Sequence, residues 1–362
     1  MVKSVYIHIP FCKIICSYCD FCKMYYNSKL INEYLDTLNS EIISKYNKKI
    51  IETIYIGGGT PNCLNDQELE KLFNILKQIK LSKKYEYTIE CNIEYLTINQ
   101  INLFKKYGIN RVSIGIQTFN INHLSFLNRN HTKQEVFNKI NLLKTNGIEN
   151  INIDLIYALP NQKIEELNED IDLFLKLKIP HISTYSLIIE PNTILGNKNI
   201  NNIDEELDFQ MYKLIQKKLK ENGFIHYETS NFSKKGYESK HNLTYWNNDE
   251  YYGFGLGASG YINNIRYDNT RSINKYLNKN YLLVEDKIDL KKQIEYEFIL
   301  GFRKIEGINI EKFNKKYNLN IFGIEKINKL LLEKKLLTDN KKIYINTKYI
   351  YVQNAILQEF ID

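Results

Sequence analysis

The chain has no apolar run approaching the roughly 20 residues that a membrane-crossing helix needs. Its opening, "MVKSVYIHIPFC", lacks the long apolar region and small-residue cleavage site of a secretory signal. A membrane-spanning or secreted protein is therefore not expected, and the chain reads as cytoplasmic. Arginine is scarce, at five residues in 362, and the net charge of +7 rests on lysines dispersed through Lys/Asn/Ile-rich sequence such as "SKYNKKI". Scattered lysine is a solvated surface more than a phosphate-reading face, so nucleic acid is not an expected partner. Neither a fixed-period repeat nor a low-complexity linker is present. What remains, 43% apolar and 25% charged residues, is ordinary globular composition able to bury a large core.

Cysteine is scarce too, and the six are unevenly placed. Cys12, Cys16, Cys19 and Cys22 crowd into "FCKIICSYCDFCK", while Cys63 and Cys91 stand alone and read as buried thiols. In a reducing compartment such a cluster holds metal or redox groups more often than disulfides. C-x3-C-x2-C can give three corners of an iron–sulfur cubane and leave one iron open. A four-thiolate zinc site using Cys22, and a closed four-cysteine cluster, satisfy the spacing as well.

Up to about residue 190, six short β-branched or aromatic runs alternate with amphipathic stretches of helical spacing. The runs are "VYIHI", "TIYIGG", "YTIECN", "RVSIGIQ", "NINIDLIYAL" and "HISTYSLII". Gly108 and Gly147 each close a helix, as left-handed caps do. The alternation predicts a parallel α/β sheet with crossover helices, as a partial barrel or an open doubly wound sheet. We expect three regions: 1–225, the α/β unit; 226–286, an aromatic and Gly-rich connection of loops and short strands; and 287–362, small and mainly helical, ending in a hairpin of "KKIYIN" with "YIYVQN". In "YIGGGTPNCL" three glycines and Thr60 end the second strand, where ligands of α/β folds sit. Glycines there let backbone groups approach a ligand, although a tight turn explains them equally.

"YIHIPFCKIICSYCDF" followed by "GGGTP" resembles the radical S-adenosylmethionine (SAM) superfamily, in its branch of oxygen-independent coproporphyrinogen oxidases and HemW haem chaperones. The likeness continues through "IECN", "SIGIQTFN", "LNRNHT", "DLIYALPNQ", "YSLIIEPNT", "YETSNF" and "HNLTYW". It implies a partial (β/α)6 radical SAM barrel with a small, mainly helical winged C-terminal domain. It also implies a [4Fe–4S] cluster on Cys12, Cys16 and Cys19, whose open iron takes SAM and whose electron cleaves the sulfonium to a 5′-deoxyadenosyl radical. Matched residue by residue, the SAM contacts would be Tyr6, Tyr18, Gly58, Gly59, Thr60, Glu90, Gln117, Arg129 and Asp154. In that reading Arg129 meets the methionyl carboxylate with its planar fork, and Glu90 and Asp154 accept from ribose hydroxyls or the amine. Either carboxylate can instead cap a helix.

Within the branch, the oxidases carry a further cysteine two places after the third and a substantial extension before the cluster. Here Phe21 holds that place and the first cysteine is already residue 12, which resembles the HemW side. Cys22 fits neither pattern and reads as a bystander. The HemW motif HNxxYW is present as His241, Asn242, Tyr245 and Trp246. His241, Tyr245 and Trp246 are the haem candidates, as an axial ligand with aromatic walls, against a structural histidine inside the aromatic loop. Where relatives read "GAHS", Ala258, Ser259 and Gly260 lack the histidine. His131 in "LNRNHT" also matches the branch, with no haem role. The implied function is haem binding and transfer to a respiratory acceptor, with an electron donor for the cluster. Peripheral membrane contact stays open, and the alternative is oxidative decarboxylation of coproporphyrinogen III.

Overall fold

The computed structural model describes residues 2–198, 200 and 203–361. The six expected runs all lie on strands: β1 (Ser4–Ile9), β2 (Ile51–Gly58), β3 (Leu81–Asn92), β4 (Arg111–Gln117), β5 (Asn150–Tyr157) and β6 (His181–Ser186). Between them run α1 (Ser28–Lys45), α2 (Asp66–Leu76), α3 (Ile98–Lys106), α4 (Lys133–Thr145) and α5 (Ile164–Leu177). Each neighbouring strand pair from β1 to β6 is parallel and in sequence order. Local chemistry fixes the helix ends. Asn65 with Glu68 and Thr132 with Glu135 form reciprocal capping boxes, each worth about 1 kcal/mol. Gly108 and Gly147 follow α3 and α4 at φ of 80° and 83°.

Alternation along the strands divides the sheet into two faces. Val5, Ile7, Ile9, Ile54, Ile56, Val112, Ile114, Ile151 and Ile153 pack against Leu35, Leu72, Phe104, Ile140 and Phe174 of the helices, and this layer is the core. The alternate positions carry Tyr6, Tyr55, Glu90, Arg111, Ser113, Asn152, Asp154 and Ser183. A polar inner face is therefore enclosed by an apolar shell.

The stretch expected as a connection continues the same sheet on both edges. Beyond β6 lie Asn231–Ser233 and Ile225–Glu228, both antiparallel additions. On the other edge β7 (Tyr251–Phe254) pairs parallel to β1, and Ser259–Ile262, Ile265–Asn269 and Leu282–Lys287 follow antiparallel. Its residues Tyr252, Phe254, Leu256 and Tyr276 belong to the barrel's own core. The run "YYGF" is too short and too interrupted by glycine to announce itself; the free edge of β1 makes it a strand.

The C-terminal region has its own core, built on Phe298, Phe302, Phe313 and Phe360. It joins helices Leu290–Gly301, Ile310–Tyr317, Glu325–Leu332 and Gln353–Gln358 to a three-stranded sheet. The expected hairpin is corrected there. Lys342–Ile345 pairs with Leu336–Thr338 before it, while the "YIYVQN" segment enters a turn and helix Gln353–Gln358. Two residues of turn chemistry, Asp339 and Asn340, sit between the paired strands, and Asn340 takes the left-handed φ of 67° that a tight reversal needs.

Candidate functional site

The cysteine loop leaves β1 directly and is closed at its base by parallel pairing of Phe11–Cys12 with Met24–Tyr25. All six thiols are free, with Cys12 buried and Cys16, Cys19 and Cys22 half-buried. Cys12, Cys16 and Cys19 line one cavity of about 120 Å³, and Cys22 does not. The same cavity is lined by Tyr18, Gly58, Gly59, Thr60, Glu90, Gln117, Arg129 and Asp154, eight of the nine residues matched to SAM. Tyr6 is the ninth and faces elsewhere. Its hydroxyl bonds His8 Nδ1 at 2.9 Å and its ring stacks on Tyr55, at the edge of a different cavity.

The glycines are steric necessities. A Cβ on Gly59 would stand 2.8 Å from Phe11 O and 2.9 Å from Cys12 Sγ, and one on Gly58, at φ 115°, would meet the His8 ring at 2.7 Å. Thr60 Oγ1 donates to Cys12 Sγ at 3.5 Å. Burial pushes the Cys12 thiol up to about 11, the Thr60 hydrogen bond acting against it. Three sulfurs around one cavity, a hydroxyl aimed at the innermost and a glycine cradle that a methyl would fill suit an iron–sulfur group. Among the described residues no set of His, Cys, Asp or Glu is gathered for a single metal ion.

Opposite the thiols, Glu90 accepts from Tyr55 Oη at 2.7 Å and from Gly58 N at 3.0 Å. Burial, with Asp154 nearby, raises its carboxyl to about 7. Asp154 accepts from Asn152 Nδ2 at 2.8 Å, and burial raises its pKa also. Gln117 closes β4 at a register shift with φ 71°, a left-handed conformation costly for a residue with a side chain, which turns it into the cavity. Arg129 differs from expectation: Nε and Nη2 hold Glu94 at 2.8 Å each and Nη2 also reaches Gly115 O at 2.9 Å. The fork is thus spent inside the protein, leaving Nη1 for a ligand. His131 joins the pair through Glu94 Oε1 at 3.2 Å, so it braces the arginine.

Because Glu90 must be ionised to accept from an ammonium, affinity for a SAM-like amine should rise as pH passes through about 7. Glu90→Gln should flatten that profile and weaken binding about tenfold, the worth of one charge-assisted hydrogen bond. Calorimetric titration across pH 6 to 8 checks it, as roughly the window around that value.

Sequence reading missed the floor of the barrel. Arg111, Ser113, Asn152, Ser183 and Tyr185, with Glu90 and Asp154, line a cavity of about 360 Å³ next to the cluster cavity. Asn152 ties it together, donating to Ser113 Oγ at 2.8 Å and Ser183 Oγ at 3.0 Å and accepting from His181 at 2.6 Å. The signal was available: "RVSIGIQ" and "NINID" place a polar or small residue at every second position of otherwise apolar strands.

HNxxYW forms a short helix, α6 (Lys240–Trp246), whose first amides donate to Glu86 at 3.0 and 3.1 Å. His241, one of the haem candidates, lies inside the aromatic network around this helix. It is buried, its Nδ1 bonds Thr53 Oγ1 and its Nε2 bonds Tyr245 Oη, both at 2.8 Å, and its ring stacks on Tyr55. Burial lowers its pKa to about 3, so it is a neutral structural histidine with no free nitrogen. Tyr245 and Trp246 instead line a third cavity, of about 410 Å³, with Tyr6, Phe21 and Cys22. Phe21, 63% exposed, borders all three cavities.

Residues 6–174 match the family model of the radical SAM superfamily. Over 99% of its length the chain is 41% identical to the haem chaperone HemW of Lactococcus lactis, covering 97% of that protein. It is 36% identical to HemW of Bacillus subtilis, 99% of each chain being covered, and 31% identical to that of Escherichia coli over 84% of this chain and 83% of that one. Among solved structures, the radical SAM coproporphyrinogen III oxidase HemN of Escherichia coli superposes with a TM-score of 0.86 at 19% identity, over 99% of this chain and 90% of that one. Among the described residues no helix is long and apolar enough to cross a membrane. The chain belongs to the HemW family of the radical SAM superfamily.

Proposed function

We propose that the protein is a cytoplasmic haem chaperone: it binds haem beside a [4Fe–4S] cluster and SAM and passes it to a haem-accepting protein such as a respiratory enzyme. An electron donor serves the cluster, and nucleic acid has no part. Phe21 carries this reading. It occupies the place of the oxidases' further cysteine and forms an exposed aromatic wall between the cofactor cavities and an aromatic cavity outside them.

Cys12, Cys16 and Cys19 would hold the cluster, with Gly59 giving it room and Thr60 donating to a thiolate. When bound, the cluster and SAM supply one-electron chemistry at the sulfonium. The residues of this chain do the rest: Glu90 and the Gly58 backbone receive an amine, Arg129 Nη1 receives a carboxylate, and Asp154 accepts from hydroxyls. The apolar shell of the sheet keeps bulk water from the polar interior.

The fold shared with HemN keeps the oxidase reading in view. Anaerobic incubation of cluster-loaded protein with SAM, reductant and coproporphyrinogen III separates the two. Retention of haem at low micromolar concentration and no carbon dioxide release are expected; catalytic release of carbon dioxide with vinyl-bearing product would replace the chaperone reading. In the same preparation Cys12→Ala, Cys16→Ala or Cys19→Ala should each remove the iron–sulfur absorbance, whereas Cys22→Ala should keep it.

A further inference from the structure

The barrel cavity and the cavity beyond Phe21 differ in chemistry, and haem discriminates between them. Haem brings a flat apolar face, two carboxylates and an iron with a vacant axial position. The barrel cavity is lined by four carboxylates, Asp20, Glu90, Asp154 and Glu190, against one guanidinium, Arg111, so it disfavours an added pair of carboxylates. The outer cavity sets two guanidinia, Arg266 and Arg271, against two carboxylates, Asp20 and Asp249, so it is balanced in charge where the barrel cavity is acidic, and its walls are Phe21, Tyr245, Trp246 and Tyr251. Its volume of about 410 Å³ is that of a ligand cleft.

Both arginines are available. Arg266 lies between Tyr261 and Tyr296, its guanidinium carbon 4.3 and 4.1 Å from their ring centroids, and Nη2 donates to the neutral Asn248 at 2.7 Å. Its Nε has no hydrogen-bond partner. Arg271 packs its stem beside Gly257, at the mouth of the same cavity. Among the described residues neither is ion-paired to a carboxylate.

The donors for iron narrow to one thiol. His8 lines the cavity, but Nδ1 is taken by Tyr6 and Nε2 bonds Cys22 O at 2.7 Å. The Tyr245 hydroxyl is held by His241. Cys22, which the cluster cavity excludes, lines this one, and its backbone is anchored by that His8 contact. Gly257, at φ 70°, makes room for it: a Cβ there would lie 2.7 Å from Cys22 Cβ and 3.0 Å from Sγ. Burial raises the Cys22 thiol's pKa, and Arg271 acts in the opposite sense.

We propose that haem is carried in this outer cavity, with Cys22 as its iron ligand and Arg266 and Arg271 as the partners of its propionates. This rests on the haem-chaperone reading above. Ligation replaces the Cys22 S–H bond by an S–Fe bond and releases the proton to solvent, with no change of oxidation state. An acceptor's ligand would take over the iron from Cys22 on transfer.

The test titrates anaerobically reconstituted full-length protein with ferric haem, after recording each variant's iron–sulfur absorbance. Wild type should saturate at one haem per chain with a thiolate-type spectrum. Cys22→Ser should lose that signature and bind about tenfold more weakly, and the double variant Arg266→Gln/Arg271→Gln should keep the signature but also bind about tenfold more weakly. The arginine pair lies outside the cysteine loop, so it decides the matter even if Cys22→Ser loads its cluster poorly. Haem bound by wild type with a non-thiolate spectrum, or an arginine double variant indistinguishable from wild type, overturns the site while leaving the chaperone reading standing. No haem uptake by wild type overturns both.

Discussion

Gly59→Ala should cost the protein its cluster without unfolding it. The added methyl would lie 2.8 Å from Phe11 O, 2.9 Å from the Pro10 carbonyl carbon and 2.9 Å from Cys12 Sγ. Two of those three are backbone in a strand-paired segment and cannot swing aside, so the strain falls on the cysteine loop. Overpacking of this kind costs about 1–3 kcal/mol, which at the loading equilibrium is roughly a five- to hundredfold loss. The measurement is iron and sulfide per chain after anaerobic reconstitution, with circular dichroism to show the fold retained. Gly323→Ala is the matched control, because a Cβ there meets nothing within 4 Å.

The second large effect concerns Arg129 and Glu94. Glu94→Gln leaves a buried guanidinium without its counter-charge, a change that costs about 3–5 kcal/mol where such pairs have been broken. Denaturant unfolding should show it, whereas Lys3→Gln, which breaks an exposed pair with Glu52, should change stability by less than about 1 kcal/mol. Acid gives a second readout. Burial alone would raise the Glu94 pKa, but the hydrogen bonds from His131 and Arg129 prevail and hold it at about 2. A carboxyl depressed in the folded state stabilises the fold above its unfolded pKa, and the benefit is lost as pH falls through the folded one. Stability should therefore drop by about 3 kcal/mol between pH near 4.5 and pH near 2, and Glu94→Gln should remove this part of the acid dependence.

The strand–helix alternation was legible because strands such as Ser4–Ile9, Arg111–Gln117 and Asn150–Tyr157 each have one apolar face, and the caps at Asn65, Thr132, Gly108 and Gly147 are local chemistry. The cysteine loop and glycine strand were equally open to reading, since steric need and ligand spacing are written within a few residues. What escaped reading depends on distant partners. Arg129 is occupied by Glu94, 35 residues away, and His241 is fixed by Thr53, 188 residues away. Tyr6 turns to His8 and Tyr55 instead of the thiols. Cys22 looked idle because its surroundings, Gly257 and Arg271, come from segments far along the chain that the added strands beyond β1 bring beside it. The cavity beyond Phe21 exists only because Tyr251–Phe254 adds to β1, a pairing with no signature in "YYGF".

The central claim is that this radical SAM fold carries haem and does not decarboxylate a porphyrinogen. It is met most directly by one measurement: haem titration of the anaerobically reconstituted protein, followed by mixing the loaded protein with an apo-haemoprotein acceptor. The account predicts saturation at one haem per chain at low micromolar concentration and transfer of that haem to the acceptor. An absence of saturable binding, or haem that is bound and never passed on, would contradict it.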